Sequence, residues 1–288
     1  MAEHGVKKVG VCGAGQMGGG IAQVAAVAGF ETVVYDAFDG AIDKCKKLHA
    51  KLLSRAVEKG RMSQEDADAA QSRIGYSQSL DGLSGSDIVV EAIVEDTGVK
   101  MELFPKLAEM LNDGGILASN TSSISITQLA TSVPSMADRF IGMHFFNPVP
   151  VMALVEVIRG LATSDETTER TITLATAMGK QPHAANDRPG FVSNRVLMPM
   201  INEAFYALME GVAQPEDIDA IMKLGCNFPM GPLRLADFIG LDTCVNIMDV
   251  LADGLNGERY RACPLLKQYV VAGRLGDKAG RGVYDYSK

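Results

Sequence analysis

Two polar residues in apolar surroundings have the types and the spacing that proton transfer requires. His144 ends the apolar run 140–144, and Glu156 lies within the run 153–158. A histidine exchanges a proton near neutral pH, and a carboxylate behind it fixes its tautomer and stabilises the imidazolium. Because an isolated carboxylate among apolar residues is costly, the pattern predicts that Glu156 bonds to His144. A buried pair with a purely structural role is the alternative.

A glycine pattern near the N-terminus is typical of a site for nucleotide phosphates. Residues 13–18 read Gly-Ala-Gly-Gln-Met-Gly and match G-x-G-x-x-G, after a predicted strand at 8–12 and before a predicted helix at 18–28. Glycines in this context allow a tight turn and the close approach of a pyrophosphate to the free N–H groups of a helix. Glycines that serve packing alone are the alternative. The predicted cofactor contacts in the loop are Gly13, Gly15, Gln16, Met17 and Gly18.

The second predicted strand, 31–36, ends on Asp36. A carboxylate about 20 residues after the loop accepts hydrogen bonds from the adenosine ribose. It would also repel the 2′-phosphate of NADP, and the next residues, Ala37 and Phe38, supply no cation. The sequence therefore favours NAD over NADP. FAD is disfavoured because the second half of the chain shows no sign of a flavin site.

Strand and helix patterns alternate through the first half of the chain. The predicted strands are 8–12, 31–36, 87–91, 116–119, 140–144 and 154–158, and the predicted helices are 18–28, 41–59, 64–73, 101–111 and 167–178. This alternation predicts an α/β fold with a Rossmann-type doubly wound, mostly parallel sheet. After a turn-like stretch at 187–190 the pattern is almost entirely helical. We therefore predict a NAD-binding domain over residues 1–186 and an all-helical domain for substrate binding and dimerisation over residues 187–288.

Other polar residues follow the predicted strands. In a doubly wound sheet, ligands bind outside the carboxyl ends of the strands, which makes such residues candidates for a site. Capping of turns is the alternative role for the hydroxyl and amide side chains. The candidates are Glu95, Lys100, Asn120, Ser122 and Asn147.

Composition excludes several classes of function. The chain has 288 residues, a net charge of −8 and 47% hydrophobic residues, so we expect no nucleic-acid partner. No apolar run reaches the length of about 18 residues that a transmembrane helix needs, so we expect no membrane partner. The five cysteines form no CxxC pair, and we expect neither disulfides nor a metal site. The first strand begins too early to leave room for a signal peptide, and we expect a cytoplasmic protein.

Stretches along nearly the whole chain resemble the L-3-hydroxyacyl-CoA dehydrogenase family, including its short bacterial members that act on 3-hydroxybutyryl-CoA. The most specific stretch is HFFNPVPVMALVEVI at 144–158. The others are GAGQMGGGIAQV at 13–24, VVEAIVED at 89–96, ASNTSSISIT at 118–127, DRPGFVSNRV at 187–196, MKLGCNFPMGPLRLADFIGLD at 222–242 and GDKAGRGVYDY at 276–286.

The resemblance implies a role for each matching residue. It implies that His144 is the catalytic base, that Glu156 orients it, and that Ser122 and Asn194 bind the substrate. The implied further cofactor contacts are Glu95, Lys100, Asn120, Ser122, Asn147 and Lys278, and Asn147 is also expected at the substrate.

Contacts with CoA are implied in the helix after Gly40, where family members place a serine and a lysine. Lys59 fits the lysine, but Leu52 stands at the serine position, and Lys51 could compensate. A solvated face of a charged helix is the alternative role for these lysines. The apolar helices 191–209, 233–239 and 244–251, together with the resemblance, predict a homodimer.

The resemblance implies reversible hydride transfer between NAD(H) and C3 of a short-chain 3-hydroxyacyl-CoA, in fatty acid metabolism. The expected pair is 3-hydroxybutyryl-CoA and acetoacetyl-CoA. One alternative is a 3-hydroxyacid dehydrogenase of the 6-phosphogluconate or 3-hydroxyisobutyrate type. Those enzymes use a lysine near the domain junction, and this chain has no lysine between Gln181 and Met222. A non-catalytic NAD-binding protein is the other alternative, although such a protein would be free to lose the His–Glu pair.

Overall fold

The computed structural model of the protein describes residues 4–255 and 257–287. The chain divides into two compact units, an N-terminal unit through Asp187 and a C-terminal unit from Arg188 onward. The assignment of NAD binding to residues 1–186, and of substrate binding and dimerisation to residues 187–288, stays a prediction.

An eight-stranded sheet forms the centre of the N-terminal unit. Its strands are β1 (Lys8–Cys12), β2 (Glu31–Tyr35), β3 (Ile74–Ser77), β4 (Ser86–Glu91), β5 (Leu111–Ser119), β6 (Phe140–Phe145), β7 (Leu154–Arg159) and β8 (Gln181–Asn186). The strand order is β3-β2-β1-β4-β5-β6-β7-β8. Every described neighbouring pair is parallel except β6 and β7, which are antiparallel. The predicted mostly parallel, doubly wound sheet is therefore confirmed.

Helices flank the sheet on both faces. Those of the N-terminal unit are α1 (Gln16–Val27), α2 (Asp39–Glu58), α3 (Gln64–Ser72), α4 (Thr97–Ala108), α5 (Ile126–Ala130) and α6 (Asp165–Ala177). One core cluster joins Ile21 of α1 and Leu174 of α6 to alternate residues of the strands, among them Ile141 and Met143 of β6. Successive side chains of a strand point to opposite faces, so His144 belongs to the other face. On that face a Cβ at Gly142 would lie 2.9 Å from Ile126 of α5.

Among the strands and α-helices of the N-terminal unit, three were missing from the sequence prediction, and two were predicted to begin more than two residues too late, one of which is β5, which begins at Leu111 rather than at residue 116. Strands β3 and β8 lie at the two edges of the sheet, where short or polar strands suffice because only one side is paired. The short helix α5 was not predicted either. Helix α4 begins at Thr97 rather than at residue 101, because the Asp96 side chain accepts a hydrogen bond from Val99 N at 2.9 Å and caps it.

The C-terminal unit is helical, as predicted. Its helices are α7 (Ser193–Met209), α8 (Pro215–Gly225), α9 (Pro232–Ile239), α10 (Leu241–Leu255) and α11 (Pro264–Val271). Buried residues of all five form one core, with Phe205, Leu233, Leu251 and Leu266 fully buried. Over residues 4–255 and 257–287, no helix is both long and apolar enough to cross a bilayer.

Candidate active site

The predicted phosphate loop joins β1 to α1, and its three glycines serve different purposes. Gly13 has φ +110°, and a Cβ there would lie 2.5 Å from the carbonyl oxygen of Ala92. A Cβ at Gly18 would lie 1.8 Å from the carbonyl oxygen of Gly13. A Cβ at Gly15, in contrast, would have no neighbouring atom within 4 Å. Two glycines are thus required by packing, whereas the third keeps a surface open for a ligand.

The free end of α1 faces this open surface. Among the described residues, no side chain caps the helix at Gly15. Uncapped N–H groups at a helix N-terminus bind anions, because they point outward and carry the positive end of the helix dipole. Both observations fit the diphosphate of a dinucleotide.

Asp36 lies beside the loop, as the sequence predicts. Its carboxylate accepts hydrogen bonds from Ala14 N at 2.8 Å and from Phe38 N at 3.0 Å. A carboxylate has about four lone-pair sites, so acceptor capacity remains for a ribose diol. Asp36, Gly15 and Met17 line a cavity of about 630 Å³ that is mostly apolar. Its size and its lining fit an adenosine.

Sequence reasoning missed the apolar wall of this cavity. Ile93, Val94, Val99 and Leu103 line it opposite the loop. Val94 is 66% exposed and lies three residues after the end of β4. The run of apolar residues 92–94 just past a predicted strand is the sequence signal that could have identified the wall.

Lys100 and Glu95 belong to a buried ionic network. Lys100 is only 1% exposed, and its Nζ lies 2.5 Å from Glu91 Oε1 and 3.3 Å from Glu95 Oε2. The Glu91 carboxylate is fully buried and also accepts hydrogen bonds from Ile93 N and Ser119 Oγ. Removing one partner of such a pair costs roughly 3–5 kcal/mol. Glu91, which sequence reasoning did not select, is therefore the anchor of Lys100.

Glu95 accepts hydrogen bonds from hydroxyl and backbone N–H groups of the turn after β5. Its Oε1 accepts hydrogen bonds from Thr121 Oγ1 at 2.6 Å, Ser122 N at 2.9 Å and Ser123 Oγ at 3.1 Å. Desolvation pushes the pKa of Glu95 upward, but the Lys100 charge and these donors outweigh it and hold the pKa below its ordinary value. Glu95 is consequently anionic at neutral pH, and it fixes the position of Ser122.

Two asparagines, one just after β5 and one just after β6, hydrogen-bond to other segments of the site. Asn120 Oδ1 accepts a hydrogen bond from Phe145 N at 2.9 Å, which ties the end of β5 to the end of β6. Gln16 Nε2 donates to Asn147 Oδ1 at 2.9 Å, which ties the phosphate loop to the chain just after β6. The structure thus brings together Gln16, Asn120 and Asn147, which the sequence placed far apart.

His144 and Glu156 face each other across the antiparallel pair of β6 and β7. His144 Nδ1 lies 2.8 Å from Glu156 Oε2, and the two residues are 7% and 4% exposed. An ionised carboxylate only accepts hydrogen bonds, so Nδ1 carries a proton and donates it. In the neutral ring, Nε2 then holds the lone pair and is the atom that can exchange a proton. The contact predicted from the sequence is present, and its catalytic role stays a prediction.

The lysines predicted to contact CoA have different surroundings. A cavity of about 630 Å³ lies between the C-terminal halves of α1 and α2, and we call it the α1–α2 groove. Lys59 and Leu52 line it, whereas Lys51 is not among its lining residues. The two further cations that line the groove from this region are Arg55 and Arg61. The contacts of Lys59 and Lys51 with CoA both stay predictions.

Two predicted site residues lie in the C-terminal unit. Asn194 is in the first turn of α7 and is 8% exposed. Lys278 Nζ donates to Asp242 Oδ2 at 2.7 Å. The roles of Asn194 at the substrate and of Lys278 at the cofactor remain predictions. Within the described residues, no group of three or more His, Cys, Asp or Glu side chains could hold a metal ion.

Comparison with known proteins covers both units. The sequence model of the family described as 3-hydroxyacyl-CoA dehydrogenase, NAD binding domain, matches residues 8–188, and that of its C-terminal domain matches residues 190–286. A probable 3-hydroxybutyryl-CoA dehydrogenase of Bacillus subtilis is 55% identical over 98% of each chain. The 3-hydroxybutyryl-CoA dehydrogenase of Bradyrhizobium diazoefficiens is 52% identical over 98% of this chain and 96% of its own.

A solved structure is also similar over the same length. The crystal structure of (S)-3-hydroxybutyryl-CoA dehydrogenase from Ralstonia eutropha is 51% identical, with a TM-score of 0.95. It covers 98% of this chain and 100% of the other.

Proposed function

This chain belongs to the 3-hydroxyacyl-CoA dehydrogenase family and is an NAD-dependent oxidoreductase, and from that premise we propose that it interconverts 3-hydroxybutyryl-CoA and acetoacetyl-CoA. The observation that carries the proposal is the hydrogen bond between His144 of β6 and Glu156 of β7. Asn147, just after β6, bonds to Gln16 at the end of the phosphate loop. Relatives named for this reaction cover nearly the whole chain. We place the protein in the cytoplasm and in fatty acid metabolism.

His144 moves the proton of the reaction. In oxidation, its neutral Nε2 accepts the proton of the 3-hydroxyl group, and in reduction the imidazolium donates a proton to the 3-keto oxygen. When bound, NAD supplies the acceptor or donor of hydride at its nicotinamide ring. Glu156 holds the ring by Nδ1 in both directions, and its charge stabilises the imidazolium.

The remaining residues bind and orient. Asp36 and the loop from Gly13 to Gly18 hold the adenosine and diphosphate of the cofactor. Glu95 fixes Ser122, whose hydroxyl we assign to the acyl head of the substrate together with Asn147. We keep Asn194 as a substrate contact and Lys278 as a cofactor contact on the basis of the family resemblance alone.

A direct assay tests the proposal. Purified protein is mixed with acetoacetyl-CoA and either NADH or NADPH, and the loss of reduced cofactor is followed by absorbance. We expect rapid consumption of NADH and much slower consumption of NADPH, because Asp36 repels a 2′-phosphate. Without NADH consumption the proposed reaction is wrong, and equal use of NADPH would overturn the role of Asp36. Oxidation of 6-phosphogluconate or 3-hydroxyisobutyrate in place of 3-hydroxybutyryl-CoA would favour the alternative enzyme type.

We also propose a homodimer through the helical unit, with α8 added to the helices on which the sequence prediction rests. Helices α9 and α10, which the sequence prediction used, bury Leu233, Cys244 and Leu251 completely in the core of their own unit. The exposed apolar side chains of α8 support the proposal better, since Ile221 is 62% and Leu224 is 87% exposed. Light scattering at micromolar concentration tests it. A wild-type monomer excludes the dimer, and a dimer that Leu224→Glu does not dissociate excludes this surface.

A further inference from the structure

One buried histidine of the N-terminal unit has no part in the proposed reaction. His49 of α2 is fully buried, and both of its ring nitrogens have hydrogen-bond partners. Its Nε2 lies 2.7 Å from the carbonyl oxygen of Gly19 in α1, and its Nδ1 lies 2.8 Å from Tyr76 Oη in β3. The ring of His49 therefore connects α2 to α1 and to β3.

The chemistry of these partners determines where the protons lie. A carbonyl oxygen only accepts hydrogen bonds, so Nε2 of His49 carries a proton and donates it to Gly19. Burial lowers the pKa of His49 below its ordinary value, although the bond to Gly19 opposes the shift, and the ring is neutral at neutral pH. In the neutral ring Nδ1 is an acceptor, so Tyr76 Oη donates to it. Gln71 Nε2 lies 3.4 Å from Tyr76 Oη, and this chain of donors runs in one direction and ends on the carbonyl of Gly19.

Gly19 belongs to the part of α1 that most needs support from other elements. Residues 18–20 are three consecutive glycines, and glycine is the least favourable residue in a helix interior after proline. Gly19 N donates to Gly15 O at 2.8 Å, which closes the first turn of the helix, and the carbonyl of Gly19 accepts the bond from His49. A Cβ at Gly19 would lie 3.1 Å from Cys45 Sγ of α2. The glycine thus lets α2 come close enough for the ring to reach the first turn of α1.

We propose that His49 is a positioning residue for the cofactor: through Gly19 it holds the glycine-rich first turn of α1 in the conformation that binds the diphosphate of NAD. The free N–H groups of that turn bind the anion, so their direction determines the affinity. A turn that is ordered before binding also avoids the entropic cost of becoming ordered on binding. His49 exchanges no proton with the substrate, and the inference depends on NAD binding and not on the identity of the acyl substrate.

Two substitutions of His49 separate the hydrogen bond from the bulk of the ring. His49→Leu removes the donor, and we expect the dissociation constant of NADH, measured by fluorescence titration, to rise about tenfold. His49→Gln places an amide N–H near the position of Nε2, and we expect it to restore the affinity to within about threefold of the wild type. At saturating NADH, kcat and the KM for acetoacetyl-CoA should not change in either variant. Unchanged NADH affinity in a folded His49→Leu protein overturns the proposal.

Fragments of the cofactor show where the affinity is lost. ADP-ribose carries the diphosphate, whereas adenosine lacks it, and the binding of both can be measured by competition with NADH. We expect His49→Leu to weaken ADP-ribose by the same factor as NADH. The affinity for adenosine should not change, because His49 is not among the described residues that line the cavity that fits the adenosine. Equal weakening of adenosine would show a general loss of the site and would refute a role at the diphosphate.

A second buried histidine supplies the matched control. His4 is 7% exposed, and its Nδ1 accepts a hydrogen bond from Val6 N at 3.0 Å. It precedes β1 and so lies at the opposite end of that strand from the phosphate loop. His4→Leu should therefore leave the NADH affinity unchanged. A loss as large as that of His49→Leu would mean that any buried histidine has this effect, and the proposal would be wrong.

Tyr76→Phe decides the question if His49→Leu does not fold. The substitution removes one hydroxyl group from a half-buried side chain. Without the proton from Tyr76, the ring of His49 can carry its hydrogen on Nδ1, and Nε2 then loses its bond to Gly19. We expect NADH to bind about threefold more weakly. Wild-type affinity for NADH in Tyr76→Phe would contradict the proposal.

Discussion

Glu156 of the N-terminal unit and Asp237 of the C-terminal unit are both buried carboxylates, but they bond to different kinds of donor. In the N-terminal unit, Glu156 is 4% exposed and bonds to the ring of His144. In the C-terminal unit, Asp237 is 1% exposed and accepts hydrogen bonds from two backbone N–H groups, those of Val283 and Tyr284, and from the hydroxyl of Tyr286.

A second buried aspartate of the C-terminal unit also accepts hydrogen bonds from backbone N–H groups and a tyrosine hydroxyl. Asp219 is 6% exposed and accepts hydrogen bonds from Leu233 N and Arg234 N at the start of α9, each at 2.8 Å. It also accepts a hydrogen bond from Tyr284 Oη at 2.7 Å. The two aspartates therefore hold the last residues of the chain against α8 and α9.

The contrast separates a structural carboxylate from one that can support catalysis. Backbone N–H groups never titrate, and burial together with hydrogen bonds to Asp219 and Asp237 raises the pKa values of Tyr284 and Tyr286. The donors of the C-terminal unit therefore stay protonated and uncharged across the physiological pH range. The donor to Glu156 is the ring of a histidine, a residue type that can accept and donate a proton during catalysis. Glu156 can therefore support proton transfer through its partner, whereas Asp219 and Asp237 cannot do so through theirs.

The largest expected effect on turnover is that of His144→Ala. We expect kcat for acetoacetyl-CoA reduction to fall roughly 10²–10⁴-fold, because the proton donor is lost. Wild-type reduction needs the protonated ring and should slow as pH rises, wild-type oxidation needs the neutral ring and should accelerate, and the variant should lose both dependences. NADH binding by fluorescence titration should barely change. Near-normal turnover in the variant would mean that the pair is as structural as Asp237 and its donors.

Glu156→Gln should have the next largest effect. The amide keeps the shape but removes the charge that stabilises the imidazolium, and it lets the ring adopt the other tautomer. We expect kcat to fall roughly 10²-fold, with the folded structure retained in circular dichroism. Loss of the folded structure, with kcat per folded molecule unchanged, would place Glu156 with the structural carboxylates.

Asp237→Asn should leave the turnover of the folded enzyme unchanged and lower its stability. The asparagine side chain would point its own NH₂ group at one of the N–H or O–H groups that now donate to the carboxylate. We expect a loss of about 3 kcal/mol in the free energy of unfolding, measured by urea denaturation at neutral pH. Asp285→Asn is a control near the same segment, because Asp285 is exposed. Equal stability of Asp237→Asn and wild type would contradict the structural role.

The smallest expected effect is a loss of thermal stability at alkaline pH. The pKa values of Tyr284 and Tyr286 are raised in the folded protein above the ordinary value of about 10. Their contribution to stability is therefore complete below pH 10 and is lost as the pH rises further, where the unfolded chain releases protons and the folded chain retains them. We expect Tm to fall more steeply above about pH 10 for the wild type than for a Tyr284→Phe, Tyr286→Phe variant. Equal slopes would show that these phenols do not titrate differently on unfolding.

Local patterns predicted the centre of the fold and the principal pair. The apolar runs of β1, β4 and β6 are buried on both faces, and such strands are recognisable without knowledge of their neighbours. The edge strands β3 and β8 have no such pattern. Pro182 in β8 even argues against a strand, although an edge position accepts it.

The contacts that sequence did not predict depend on tertiary structure. Lys100 and Glu95 were selected as cofactor contacts, but their local sequence does not reveal that Glu91 anchors the lysine within the network. Likewise, Lys51 and Arg55 lie on α2 and Lys59 follows its last residue, but their local sequence does not show which of them line the cavity with α1. Asp219 and Asp237 looked like ordinary helix residues, because their donors lie up to 65 residues away along the chain.

The opposed positions of His144 and Glu156 on β6 and β7 determine which insertions and deletions a lineage can accept. The segment between the strands, 146–153, can gain or lose residues while the two side chains still face each other, provided that the strands keep their register. One residue added inside either strand would instead turn one partner to the other face of the sheet. A separation of twelve residues is therefore not the quantity under selection. Searches of distant homologues for this pair should align the strands and leave the loop length free.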